Sequence, residues 1–166
     1  SAPTIEGDGL GAFFARSAWL EAVSVGAFRR LALELRAHGA PDEIVAAAKA
    51  SARDEIRHAR SMARLAKKHG AEVPRVEPSR RADVRDLESV ARENATEGCV
   101  GETFGAALAR WEGDHATHAD VRDAMRAIAD DELRHAALGW AVAAWADTRL
   151  SGDAVERVRE ARDAAG

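Results

Sequence analysis

Apolar residues recur at helical spacing through four long stretches of the chain, and polar breaks separate them. From about Leu10 to His38 the stripe is Phe14, Ala18, Val25, Phe28, Ala32 and Leu35. Gly39 ends that helix, and Asp42 and Glu43 supply acids for the first turn of the next. The second helix is predicted from about Asp42 to His69 on Ile44, Ala48, Ser51, Met62 and Leu65, with Gly70 closing it. The stretch "AEVPRVEPSR" carries two prolines and no helical stripe, so it reads as an extended connection. A third helix is expected over about 82–112 on Leu87, Val90, Asn94, Gly101, Phe104, Leu108 and Trp111. After the turn "EGDHAT", a fourth is expected over about 118–149 on Val121, Met125, Ile128, Gly139, Val142 and Ala146.

Residues 1–9 read as a loose lead-in, 10–150 as the folded body, and 151–166 as a short tail able to form a polar fifth helix through Val155 and Val158. Four long helices without a strand predict an all-α four-helix bundle. Helix length specifies the connectivity. A helix of some 28 residues is about 42 Å long, and the extended link from Gly70 to Ala82 reaches about 40 Å. That link can therefore run back along the whole bundle. The expectation is two tight helix hairpins joined by one long crossover, the ferritin-like topology.

Composition narrows the possibilities. The 166-residue chain has a formal net charge of −4 and no dense basic run, which argues against a nucleic-acid surface. No stretch approaches the roughly 18 apolar residues of a membrane span. The single cysteine, Cys99, leaves no internal disulfide and no cysteine-based metal site. The absence of Tyr removes tyrosyl chemistry. A soluble protein is expected, the cytoplasm slightly favoured. The chain begins at Ser1 rather than Met, so a removed signal peptide is the alternative.

Against this background two octapeptides stand out, "ARDEIRHA" at 52–59 and "ADDELRHA" at 129–136. In each, a Glu and a His three apart share one helical face: Glu55 with His58, and Glu132 with His135. Both pairs continue the apolar stripes of their helices. A buried carboxylate and imidazole are costly unless something compensates them. A cation does so directly. The first and third stripes each supply one further carboxylate, Glu21 and Glu97. Glu97 follows Glu21 by 76 residues, and the Glu-x-x-His pairs repeat at 77. The chain thus reads as two related hairpins, each with one Glu plus one Glu-x-x-His.

With these residues the sequence resembles the ferritin-like di-iron carboxylate proteins, from about Leu10 to Leu150. More narrowly, "EAVSVGAFRRLALEL", "ARDEIRHA" and "EGCVGET" are similar to bacterial ferritin-like domain proteins of little-characterised function. The resemblance implies that Glu21, Glu55, His58, Glu97, Glu132 and His135 bind two metal ions. Glu55 and Glu132 would bridge, the histidines would bind through Nδ1, and Glu21 and Glu97 would be terminal. It also implies that Asp54 supports His135 and Asp131 supports His58 by hydrogen bonds; a solvated helix edge is the plainer alternative for both. Arg57 and Arg134 are expected to pair with nearby acids.

Glu102 is the open question on the third helix. It lies about 140° round an ideal helix from Glu97, off the stripe. A π-bulge would swing it inward, as a replacement for Glu97 or as an additional carboxylate of the kind rubrerythrins use. Gly26, Gly98, Gly101, Gly105 and Gly139 are expected to serve close helix packing, with room for oxygen or a small substrate as the alternative. Trp19, Trp111, Trp140 and Trp145 are expected in a core or an interface, with a radical or electron-relay role as the alternative.

A carboxylate-rich donor set with two imidazoles suits iron or manganese. Two iron ions are expected, with manganese or a mixed Mn/Fe pair as the alternative. The function implied is an oxidoreductase that activates O2 or H2O2. No Cys-x-x-Cys pair is present to carry electrons, so an external electron donor is expected. The alternatives are a ferritin-type ferroxidase that stores iron, and a metal-stapled module without catalysis. A homodimer is among the expected assemblies.

Overall fold

A computed structural model describes residue 7 and residues 9–77 and 83–166. Every regular element among them is helical: α1 (Leu10–Ala37), α2 (Asp42–Lys68), α3 (Leu87–Glu93), a π-helical segment (Asn94–Gly101), α4 (Glu102–His115), α5 (Ala119–Asp147) and α6 (Gly152–Asp163). The segments from Leu87 to His115 follow one another without a break and form one long helix. The expected helices are present with ends moved by a few residues, and the tail does form a fifth. Most of the expected lead-in, and residues 78–82 of the expected crossover, lie outside the described residues. The flanks 71–77 and 83–86 are non-helical, as the two prolines predict.

Two glycines end helices for a backbone reason. Gly39 and Gly70 have φ of +74° and +79°, a region costly for residues with a Cβ. Each follows its helix in the same way: Ala40 N–H reaches back to Leu35 O, and Ala71 N–H to Ala66 O, both at 2.9 Å. These six-to-one bonds satisfy carbonyls that the helix end would leave bare.

The chain divides into two compact units, residues 1–30 with 49–81, and residues 31–48 with 82–166. In the first, α1 and α2 run antiparallel, so the start of one meets the end of the other. Phe14 packs against the ring of His69 at 5.8 Å between centroids. A Cβ on Gly11 would lie 2.4 Å from His69 O. Phe14, Ala15 and Ala18 are buried on α1, and Met62, Leu65 and Ala66 on α2.

In the second unit, α5 lies antiparallel to the long helix Leu87–His115. A Cβ on Gly139 would fall 2.2 Å from Gly98 O, and one on Gly113 would fall 3.2 Å from Arg126 N. Small residues therefore let the two backbones touch at two levels. The helix α6 covers the far end, where Ala91, Ala95, Ala146 and Val158 form a core flanked by Trp145 and Leu150. Arg157 clips it down with a two-pronged pair to Glu88, at 2.6 and 2.8 Å. The entry to the long helix is held by Arg85. Its guanidinium bonds both carboxylate oxygens of the buried Glu34 at 2.8 Å and also pairs with Glu93. The hydrogen bonds to Glu34 and then Glu93 raise its pKa above the usual arginine value.

The third stripe departs from expectation beyond Asn94. Phe104, Leu108 and Trp111 are exposed, while Cys99, Ala109 and Gly113 are buried. Inward positions have moved one residue later along the chain. The cause is the π segment, which closes i→i+5 bonds and so inserts one residue into the helical count.

Candidate metal centre

In the first unit, Glu21 on α1 meets Glu55 and His58 on α2. His58 Nδ1 lies 3.6 Å from Glu21 Oε2 and 3.9 Å from Glu55 Oε1. Glu55 and His58 are buried and Glu21 is partly so. Each of the three offers a donor atom within 4.8 Å of the others. Helix geometry explains the meeting. The i, i+3 spacing puts Glu55 and His58 on one face, and the antiparallel hairpin sets Glu21 opposite them.

The second unit repeats the arrangement with one substitution. His135 Nδ1 lies 3.5 Å from Glu132 Oε2 and 3.7 Å from Glu102 Oε2. The long helix contributes Glu102, where Glu97 was expected. Glu97 is exposed and joins neither cluster. The amide of Glu102 bonds to Glu97 O, five residues back rather than four. That single wider turn carries Glu97 past the inward face and brings Glu102 onto it.

The π segment is stabilised by side chains at its ends and middle. Thr96 Oγ1 donates to Glu93 O at 3.0 Å, and Thr103 Oγ1 donates to Cys99 O at 2.5 Å. These bonds serve carbonyls at the two changes of helical pitch. At the start of the segment Asn94 Nδ2 donates to Gly139 O at 2.9 Å, fixing the bulge against α5. Gly98 packs on Gly139 at the same level, and Cys99 is fully buried. Close packing is therefore the role of the Gly98–Gly139 pair. Gly26 has nothing within 4 Å of an added Cβ. Gly105 faces the site: a Cβ there would lie 3.7 Å from Glu132 Oε2.

Burial pushes the Glu102 carboxyl up to about 7. The nearby His135 imidazole opposes the rise, while the neighbouring Glu132 adds to it. A carboxyl in this state holds a proton that an arriving cation would displace. Asp54 and Asp131, one residue before each motif Glu, are both buried rather than solvated. Arg57 caps Asp54 at 2.6 Å, and Arg134 pairs with Asp131 in the same i, i+3 relation. The two halves of the repeat thus share the Arg–Asp pair as well as the Glu-x-x-His.

The donor set can be tested against a cation by distance. Donors about 2.1 Å from one ion sit about 3.0–4.2 Å from each other. The four carboxylate-to-imidazole separations of 3.5–3.9 Å fall inside that range. Each triad pairs two carboxylates with one imidazole, a set suited to iron, manganese or zinc rather than to magnesium or calcium. The other histidines have other work. His38 Nε2 lies 2.8 Å from Arg85 O, and His115 stacks on Trp111 with ring centroids 4.9 Å apart.

Among the described residues no helix is long and apolar enough to cross a membrane. No family model, no curated protein and no solved structure matches the chain, so its function has to be read from the geometry of these two triads.

Proposed function

We propose that the chain is a ferritin-like dinuclear metal protein in which the two triads close on one pair of ions, and that it acts as an oxidoreductase on O2 or peroxide. The observation that carries this reading is the repetition of geometry. Glu21, Glu55 and His58 match Glu102, Glu132 and His135 in residue type, in helix spacing and in donor separation. A single ion in a structural role needs four donors, often sulfur and nitrogen. Four carboxylates and two imidazoles exceed that and suit two hard, redox-active ions.

In this reading Glu55 and Glu132, one on each motif helix, and Glu21 and Glu102 would hold the ions through their carboxylates. His58 and His135 bind through Nδ1, the atom that faces the carboxylates in both triads. Asp54 and Asp131 would support the two histidines, holding each ring in one tautomer. Glu102 releases its proton as the ions arrive. A bound iron pair would supply the electrons that reduce dioxygen or peroxide. An external donor would restore the reduced state.

Oxygen consumption after anaerobic loading with ferrous iron tests the reading. The oxidoreductase binds two ferrous ions per chain and consumes O2 or peroxide repeatedly only when a reductant is present. Oxidation of many ferrous ions per chain without a reductant would instead establish iron storage. Binding of one inert ion, with no consumption, would establish a stapled module.

A further inference from the structure

The register shift that turns Glu102 inward also turns large apolar side chains outward. Phe104, Leu108 and Trp111 form a ridge along the outer side of α4, and Phe104 is 68% exposed. On α5, Leu133 is 65% exposed and Trp140 is 47% exposed. From these fractions and typical side-chain areas, the five expose on the order of 500 Å². Single exposed apolar residues are ordinary, but five large ones on one helix pair offer a contact surface.

Beside the ridge runs a groove of about 270 Å³ between α4 and α5, with a floor of Ala106, Ala107, Ala129 and Ala136. Its volume exceeds the ~150 Å³ of a cavity that holds a benzene ring. Its walls carry one charge of each sign, Arg110 on α4 and Asp130 on α5, 4.0 Å apart and mostly exposed. The aromatic anchors are already held in place. Trp111 is stacked on His115, and the Trp140 indole N–H donates to Thr103 Oγ1 at 3.2 Å. Such pre-set aromatic side chains lose little freedom on binding and are typical interface hot spots.

We infer that this face is an isologous homodimer interface: the ridge of one copy enters the groove of a second, and Arg110 of each copy pairs with Asp130 of the other. A two-fold axis requires one face to carry both the shape and its complement, and both charges. The groove, the cation and the anion lie together between α4 and α5, and the ridge runs beside them on α4. Two such patches bury about 1,000 Å² between them, the lower bound for a specific interface.

Sedimentation and light scattering of the full chain test this, together with charge exchange. The wild-type chain should run at twice its 17.7 kDa mass at micromolar concentration. Phe104→Glu should run as a monomer with an unchanged circular-dichroism melt. Arg110→Asp alone and Asp130→Arg alone should each dissociate at least tenfold more readily, because like charges then face each other across the axis. Mixing those two variants should restore the dimer, since every cross-pair is again opposite in sign. A wild-type monomer throughout the concentration range would overturn the proposal. So would a dimer untouched by Phe104→Glu, a mixture that fails to re-associate, or dissociation by Leu20→Glu on α1 instead.

Discussion

Glu102 Oε2 lies 3.7 Å from His135 Nδ1, although the residue sits off the face that an uninterrupted helix would turn toward α5. The relationship exists because the Glu102 amide reaches back five residues to Glu97 O. It decides which carboxylate completes the second triad, and it sets the face on which Phe104, Leu108 and Trp111 emerge.

Exchanging the two acids one at a time separates them. Glu102→Gln should weaken Fe(II) or Co(II) binding by at least about tenfold, because a neutral amide replaces a charged donor. Glu97→Gln should stay within about twofold of wild type, since its side chain is exposed. Calorimetric titration under anaerobic conditions reads both.

The raised Glu102 pKa makes the stability of the chelator-treated protein depend on pH. Burial raises its carboxyl from the ordinary glutamate value of 4.5 to about 7 in the folded chain. Between those values the folded state holds the extra proton, so stability falls as pH rises through that window and the loss is complete above about 7. Glu102→Gln removes the dependence. It should melt close to wild type at pH 4.5 and several degrees higher at pH 8.5, at about 2–4 °C per kcal/mol for a chain of this length. Equal shifts at both pH values would contradict the assignment. Loading the wild-type chain with metal below pH 7 should also release a proton that the variant does not.

Two glycines should respond to alanine in opposite senses. Gly139→Ala places a Cβ 2.2 Å from Gly98 O, where backbone meets backbone. Forcing the helices apart should cost about 1–3 kcal/mol. Gly26→Ala meets nothing within 4 Å in the interior of α1, and should add about 0.5–1 kcal/mol of helix stability. Urea unfolding midpoints give both values.

Arg85→Ala should destabilise by about 3 kcal/mol, because it leaves the buried Glu34 carboxylate without its two-pronged partner. Glu34→Gln should cost less, since the amide keeps one acceptor and buries no charge. Denaturant melts of the two variants check the order.

Much of the helical layout was legible because α1, α2 and α5 keep their period without interruption, and glycine or acid-rich turns bound them. The Glu-x-x-His pairs were legible for the same reason: i, i+3 spacing on a regular helix determines a shared face. The third helix was not. Its most apolar residues, Phe104, Leu108 and Trp111, trace an ideal stripe in the sequence but lie on the exposed side. The buried positions after the bulge, Ala109 and Gly113, are small and carry little pattern. What marks the bulge is polar and local: Asn94, Thr96 and Thr103, whose side chains serve backbone carbonyls. Such bonds depend on the neighbouring helix and leave no periodic trace. A one-residue change in register therefore moved the third-helix carboxylate from Glu97 to Glu102.

A crystal structure of the iron-loaded chain, with anomalous scattering recorded across the iron edge, decides whether the chain holds a pair of ions. Two iron peaks about 3.5–4 Å apart are expected, held by Glu21, Glu55, His58, Glu102, Glu132 and His135. A single peak, two widely separated peaks, or a pair bound by Glu97 in place of Glu102 would contradict that expectation.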